Sequence, residues 1–301
     1  MNETNITNNI ASTLLGKKIE GSKQYDPSLL VAIPRFENRK KYSIEEENLP
    51  FDGWDVWHCY EFSVLTENSL PITRVLKLKY SAKSKYIVES KSLKLYLNSF
   101  NMTNTGKNTQ QSLLRCKELI EKDLNNKLQT EVYVSFFNEK TTKDTVFSNY
   151  TNILKLCNEQ DIKIENFNET HKLLKTINTK EEKENRIYFD SLRSNCRVTH
   201  QPDFGDIFIF YKSDKHIEES SLVKYLVSFR NEYHFHEECC EMIFKRLSDI
   251  LNKDDELMVC ALYTRRGGID ITPVRYKGQL KDKDIDSILD TNTLARFGIK
   301  Q

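Results

Sequence analysis

The chain has 301 residues and a mass of 35.4 kDa, room for about two domains of ~150 residues or one large one, so a substantial core can be buried. With 45 Lys+Arg against 44 Asp+Glu the formal net charge is only +1, which leaves no basic excess to exchange for phosphate counterions and excludes a polybasic tail. The 11% aromatic content excludes a disordered chain, and a globular protein without a nucleic-acid partner is expected.

Met1 to Lys18 is rich in Asn and Thr and lacks the apolar stretch of a signal peptide. The longest apolar run, Leu257 to Tyr263, has seven residues, far short of the ~20 that span a bilayer. A cytoplasmic protein with no membrane partner is expected. The seven cysteines, an odd number without disulfide-like spacing, read as free thiols.

In chain order, Leu76, Leu78 and Tyr80 alternate with Lys77 and Lys79, the pattern of a half-buried strand. Leu93, Tyr96, Leu97 and Phe100 then follow helical spacing, and Leu113, Leu114, Leu119 and Ile120 carry a second amphipathic helix. A strand is expected over Glu131 to Phe137. The polar stretch Lys175 to Glu184 reads as a junction between modules 1–175 and 176–301.

Beyond it the order recurs. Ile207 to Tyr211 is a continuous apolar run that suits a more buried strand. Leu222, Tyr225, Leu226 and Phe229 have helical spacing, as do Met242, Ile243, Leu247 and Ile250, and Leu257 to Tyr263 closes as a strand. Glu89-Ser-Lys-Ser-Leu-Lys-Leu-Tyr-Leu-Asn-Ser-Phe100 aligns with Glu218-Glu-Ser-Ser-Leu-Val-Lys-Tyr-Leu-Val-Ser-Phe229, and Pro71 and Tyr80 are spaced as Pro202 and Tyr211. The chain is therefore a duplication, and strands, two helices and strands in each copy predict an α+β fold with mainly antiparallel sheets.

Residues present in one copy only are candidates for specialised chemistry. Cys196 falls opposite Leu65, Asp203 opposite Ile72, and His236 and Glu237 opposite Lys107 and Asn108, so the second half alone holds a Cys, Asp, His and Glu set. Cys196 lies in a polar segment beside Arg197, a setting that raises the thiolate fraction a nucleophile needs. The plainer reading makes Cys196 an inert thiol, Asp203 a turn residue and His236 a helix-start residue. Carboxyl and imidazole groups such as Asp203 and His236 are also the usual proton carriers.

His234-Phe-His-Glu-Glu-Cys-Cys240 contains zinc-ligand types, but it has no Cys-x-x-Cys and fits no standard ligand spacing, so no metal is assigned. Cys239 and Cys240 read as helix packing. No G-x-G-x-x-G occurs among the nine glycines, which excludes a Rossmann dinucleotide site. Lys91, Lys94, Arg265 and Arg266 are either phosphate-binding or solvated surface charge.

At these residues the chain resembles the NADPH-dependent 7-cyano-7-deazaguanine reductases in their two-module form, from about Leu29 to Arg275. Glu89-Ser-Lys-Ser-Leu-Lys-Leu-Tyr96 matches the signature E-S-K-S-x-K-x-Y throughout. Ser194-Asn-Cys196 with Gln201-Pro-Asp203 and Gly205, Phe235-His-Glu237, and Thr264-Arg-Arg-Gly-Gly268 with Asp270 match three further segments. The resemblance implies a tandem tunnelling fold (T-fold), a homodimer, and four-electron reduction of a nitrile to an amine with two NADPH. It implies Cys196 as the nucleophile forming a thioimide, Asp203 as the proton donor and His236 as an aid to proton transfer. It further implies that Val88, Glu89, Ser90, His236 and Glu237 hold the 7-deazaguanine, and that Ser90, Lys91, Arg266 and Gly267 contact NADPH.

Phe204 and Val64 stand where the family often has Trp, Glu232 where it often has His, and Thr272 where it often has Asn. No assignment carries over to 139–187. Two other readings compete: a zinc-dependent pterin- or purine-type T-fold enzyme, and a non-catalytic T-fold binding protein.

Overall fold

The computed structural model describes residues 24–138, 143–279, 282–296 and 300; the Met1 to Lys18 start lies outside the described residues. The chain enters through strand β1 (Ala32–Pro34) and helix α1 (Phe36–Lys41), then forms a long hairpin of β2 (Asp52–Leu65) and β3 (Pro71–Ser81). Strand β4 (Tyr86–Val88) pairs back onto β1 and leads into α2 (Ser90–Asn98) and α3 (Thr109–Leu128), after which β5 (Val132–Phe137) closes on β3.

Short strands β6 (Lys143–Thr145) and β7 (Thr151–Asn152) precede a second hairpin, β8 (Thr176–Asn195) and β9 (Pro202–Ile217). Helices α4 (Glu219–Val227) and α5 (His236–Ile250), strands β10 (Glu256–Tyr263) and β11 (Ile269–Lys277), helix α6 (Lys283–Leu289) and strand β12 (Leu294–Arg296) complete the described chain.

One eight-stranded sheet runs β5-β3-β2-β11-β10-β9-β8-β7, antiparallel except for the β7–β8 pair. The two halves meet where β11 pairs with β2, from Ile269 opposite Cys59 to Tyr276 opposite Asp52. A Cβ at Gly53 would lie 2.2 Å from the Val274 carbonyl oxygen, so this seam needs glycine there.

The duplication is reproduced bond by bond. Tyr80 Oη accepts the Val88 N–H at 3.3 Å, and Tyr211 Oη accepts the Ile217 N–H at 3.2 Å. Ser92 Oγ donates to Glu89 O at 2.7 Å and accepts the Val31 N–H, while Ser221 Oγ donates to Glu218 O at 2.7 Å and accepts the Lys175 N–H. Ser99 and Ser228 each donate back to the tyrosine carbonyl three residues earlier, at 2.6 Å, and accept the N–H of Asp26 and of Thr170 respectively. Residues 170–175 thus repeat the entry segment of the first copy and lie ahead of residue 176, where the sequence division falls.

The helices cover one face of the sheet. Leu76, Leu78, Leu93, Tyr96 and Ile120 form the first-half core on that face. Ile207, Leu222, Tyr225, Met242 and Leu257 form its second-half counterpart. The opposite face is covered by the segment around Phe147 and by α6, where Phe147 stacks on Phe208 at 4.2 Å and Ile285 packs with Met258 and Val274.

Three local expectations change. Lys77 is buried, not solvated, because the end of α6 lies over it: its Nζ donates to Asp290 O at 2.6 Å and Thr293 O at 2.8 Å, and Lys79 Nζ donates to Leu289 O. Cations at a helix C-terminus meet its unpaired carbonyls. Leu114 is exposed, since the inward stripe of α3 is Cys116, Ile120, Leu124 and Leu128. Lys175 to Glu184 is no linker: from Thr176 it is the outer part of β8, its polar residues mostly exposed while β9 supplies their backbone partners as far as Ile217.

Candidate active site

Strand β8 stops at Asn195 and Cys196 opens the loop to β9, its N–H donating to Gln201 O at 2.8 Å and its carbonyl accepting the His200 N–H at 3.0 Å. The thiol residue is half-buried. In the first copy the matching loop opens at Thr66, whose N–H donates to Leu70 O. Cys196 therefore stands opposite Thr66, one residue on from Leu65. Aligned by helix N-caps, Phe235 and Asn108, His236 and Glu237 stand opposite Thr109 and Gln110. The asymmetry between copies persists under this alignment.

Arg197 does not face the thiol as the sequence suggested. Its guanidinium pairs with Glu238 at 3.1 Å and lies over the Phe235 ring. The arginine in the cavity is Arg266, which ion-pairs with Asp203 and donates to Gln201 Oε1 at 2.8 Å.

Asp203, near the start of β9, is 2% exposed, and its Oδ1 lies 3.4 Å from His236 Nε2. Burial pushes the Asp203 carboxyl up, but His236 and Arg266 together outweigh it and hold the group below the ordinary aspartate value. Asp203 is thus an anion in the free protein. His236, the first residue of α5, has its ring stacked on Tyr263 at 3.8 Å and 8°.

Glu237 follows, buried, with no hydrogen-bond partner for Oε1 among the described residues; burial and then the charge of Asp55 raise its carboxyl to about 8. His234 also lines the cavity, but its Nε2 lies 3.2 Å from Glu232 Oε2, and that bond leads the fall of the Glu232 carboxyl to about 2. Cys239 and Cys240 are wholly buried in the core, where burial pushes both thiols up. The 234–240 run therefore divides between the cavity wall, lined by His234 to Glu237, and the core, which takes Cys239 and Cys240.

The first half contributes the end of β4 and the start of α2. Glu89 caps that helix, Oε1 accepting the Lys91 N–H at 2.9 Å and Oε2 the Ser92 N–H at 2.7 Å, and burial raises its carboxyl in spite of both bonds. The Ser90 side chain also hydrogen-bonds this carboxyl. Lys94 Nζ donates to Gly267 O at 2.5 Å and pairs with Glu61 at 3.2 Å, tying α2 to the Arg266–Gly268 turn. That turn needs left-handed backbone at Gly267 (φ 56°) and Gly268 (φ 80°), which glycine adopts freely.

Val88, Glu89, Ser90, Lys91, Cys196, Asp203, His236, Glu237, Arg266 and Gly267 all line one cavity of about 420 Å³ between the two halves. The volume suits a bicyclic base with part of a second molecule. Sequence reasoning named Gln201 only as part of a motif and missed Trp57, Ile269 and Ile271 in its wall. Trp57 and Ile271 are register partners at the β2–β11 seam, a pairing between strands far apart in the chain that leaves no local signal. Val64, Phe204, Glu232 and Thr272 do not line the cavity; Val64 and Thr272 are buried, and Phe204 is 48% exposed.

A duplicated α+β chain whose continuous sheet sets a thiol, a carboxylate and an imidazole beside a base-sized cavity is a tandem T-fold enzyme. A family model described as nitrile reductase, 7-cyano-7-deazaguanine-reductase N-term, matches residues 22–136, and a model described as QueF-like protein matches residues 202–282. The NADPH-dependent 7-cyano-7-deazaguanine reductase of Colwellia psychrerythraea (strain 34H / ATCC BAA-681) is 36% identical over 269 residues, covering 88% of this chain and 92% of that protein. The chain belongs to the 7-cyano-7-deazaguanine reductase family and is an oxidoreductase. Among the described residues no helix is long and apolar enough to cross a membrane.

Proposed function

We propose that the chain reduces the nitrile of 7-cyano-7-deazaguanine to the primary amine of 7-aminomethyl-7-deazaguanine in queuosine biosynthesis, with NADPH as reductant, in the cytoplasm. The observation that carries this is the meeting, in one cavity, of Cys196, Asp203, His236 and Glu237 from the second half with Val88, Glu89 and Ser90 from the first.

The carboxyls of Glu89 and Glu237 and the backbone near Val88 and Ser90 hold the base. Asp203, an anion in the free protein, takes the proton of the Cys196 thiol. The Cys196 sulfur then bonds to the nitrile carbon, and Asp203 returns the proton to the nitrile nitrogen, so that S–H adds across the C≡N bond to give a thioimide. His236, fixed by the Tyr263 stack and the Asp203 carboxylate, serves as the second proton carrier. After the first reduction the C–S bond breaks, Cys196 leaves as thiolate and an imine remains for the second reduction.

The cavity wall fits the reductant. Ser90, Lys91, Arg266 and Gly267 all belong to it, and a Cβ at Gly267 would meet only the Lys94 side chain, 3.3 Å from its Nζ, leaving a backbone cradle beside cationic groups. When bound, NADPH supplies a hydride, twice per turnover. We carry over the homodimer as well; light scattering should give about twice the 35.4 kDa chain mass.

The test is direct. Incubated with 7-cyano-7-deazaguanine without NADPH, the protein should gain the substrate mass on Cys196, and Cys196→Ala should show no adduct and no NADPH oxidation. A Cys196→Ala protein that still oxidised NADPH with the nitrile would refute the mechanism.

A further inference from the structure

We infer that Glu237 is a neutral acid while the cavity is empty and gives up its proton when a base with paired N–H donors binds, and that Asp55, outside the cavity, adds to the burial that holds this proton. The inference rests on the proposed function for the class of ligand.

Glu237 and Glu241 lie one turn apart on the same face of α5. Behind them three buried arginines converge. Arg39 meets Glu241 at 2.8 Å and Glu46 at 3.1 Å, and Arg275 meets Glu241 at 2.9 Å. Arg35 pairs with Asp55 and lies 3.5 Å from Glu241. Arg275 Nη2 is also 2.9 Å from Asp55 Oδ1.

Three guanidiniums thus face three carboxylates, Asp55, Glu241 and Glu46, and the cluster is balanced without Glu237. Among the described residues the fourth acid, Glu237, forms no ion pair of its own. Its charged and titratable neighbours are Asp55 on β2, Arg35 ahead of α1, Arg275 on β11 and Tyr80 on β3, with Glu89, His236 and Asp203 on the cavity side. Burial and Asp55 favour the protonated form more than Arg35 and Arg275 oppose it.

A deazaguanine presents a ring N–H and an exocyclic amino group side by side. A carboxylate accepts from both, whereas a neutral acid spends one oxygen on its own proton. Charge-assisted bonds of this kind are about twice as strong as neutral ones. The ligand therefore brings the donors that the protein withholds, and the proton passes to solvent with no bond of the substrate changed. Affinity must then weaken as pH falls, because binding includes removal of that proton.

The experiment is titration calorimetry of 7-cyano-7-deazaguanine into the Cys196→Ala protein, which stops at the non-covalent complex, between pH 6 and 9 in buffers of different ionisation enthalpy. The expected result is about one proton released near pH 7, with Kd tightening up to ~tenfold per pH unit on the acid side and levelling above the raised Glu237 value. Adding Glu237→Gln should abolish the release and flatten the profile. Adding Asp55→Asn should shift the release to lower pH while Glu237 remains, and the Glu237→Gln arm decides the question even if Asp55→Asn does not fold. Binding without proton release, or equal release from the Glu237→Gln protein, overturns the inference and leaves the proposed function standing. Absence of binding refutes both.

Discussion

Asp203 shows how a neighbour changes the meaning of a residue. As a lone aspartate in a polar loop it reads as an acid, yet Arg266 and His236 hold it ionised, which suits it to take a proton before giving one. Asp203→Asn should lower kcat by about 10²–10⁴-fold, the usual worth of a positioned proton carrier, while the nitrile still binds. Arg266→Gln removes a group that depresses the Asp203 carboxyl. The acid limb of kcat/KM should therefore move to higher pH, as a pH–rate profile would show, and the KM for NADPH should rise. Cys196 stands out in the sequence as a candidate through its setting next to Arg197, yet the arginine that lines the cavity with it is Arg266, 70 positions further along the chain.

At the scale of elements, the repeat was legible because its residues perform local tasks. Ser92 and Ser221 each close a helix entry and tie down a preceding segment, so the same amino acid recurs at the same place. Ser92→Ala and Ser221→Ala should each cost about 1–3 kcal/mol in urea unfolding, since each leaves a backbone N–H without its acceptor. Only the first should also impair substrate binding, because it loosens the α2 terminus that Glu89 caps. Lys77 and the outer part of β8 were misread for a common reason. Their local patterns describe one strand, and what covers or pairs with that strand comes from α6 or β9.

At the scale of the molecule, the buried arginine cluster joins α1, β2, β11 and α5 behind the cavity. Glu241→Gln should destabilise the fold by about 3–5 kcal/mol, the cost of leaving buried guanidiniums unpaired. Burial opposes ionisation of Glu241, but Arg275, Arg39 and Arg35 win and take its carboxyl to about 2. Glu232 also stands at about 2. Both carboxyls are depressed, so their contribution to stability is present above the ordinary value of 4.5 and is lost as pH falls from there towards 2; calorimetric Tm should drop across that window. Glu237 has the opposite sign. Its raised carboxyl holds a proton that the unfolded chain releases, so it costs stability as pH rises from about 4.5 to about 8. The Glu237→Gln protein should gain on its parent across that interval.

The sequence alone determined the duplication, the α+β order and the signature around Glu89, and it singled out Cys196 as a candidate nucleophile, because each depends on residue type and local spacing. It could not decide which charges meet. Arg35 and Glu241 are 206 positions apart, and Lys94 and Gly267 are 173. The β2–β11 seam, by joining the copies into one sheet, set both halves around one cavity and left Glu237 beside Asp55. Burial and charge pairing act through space, so the protonation of Asp203 and Glu237 belonged to the tertiary structure.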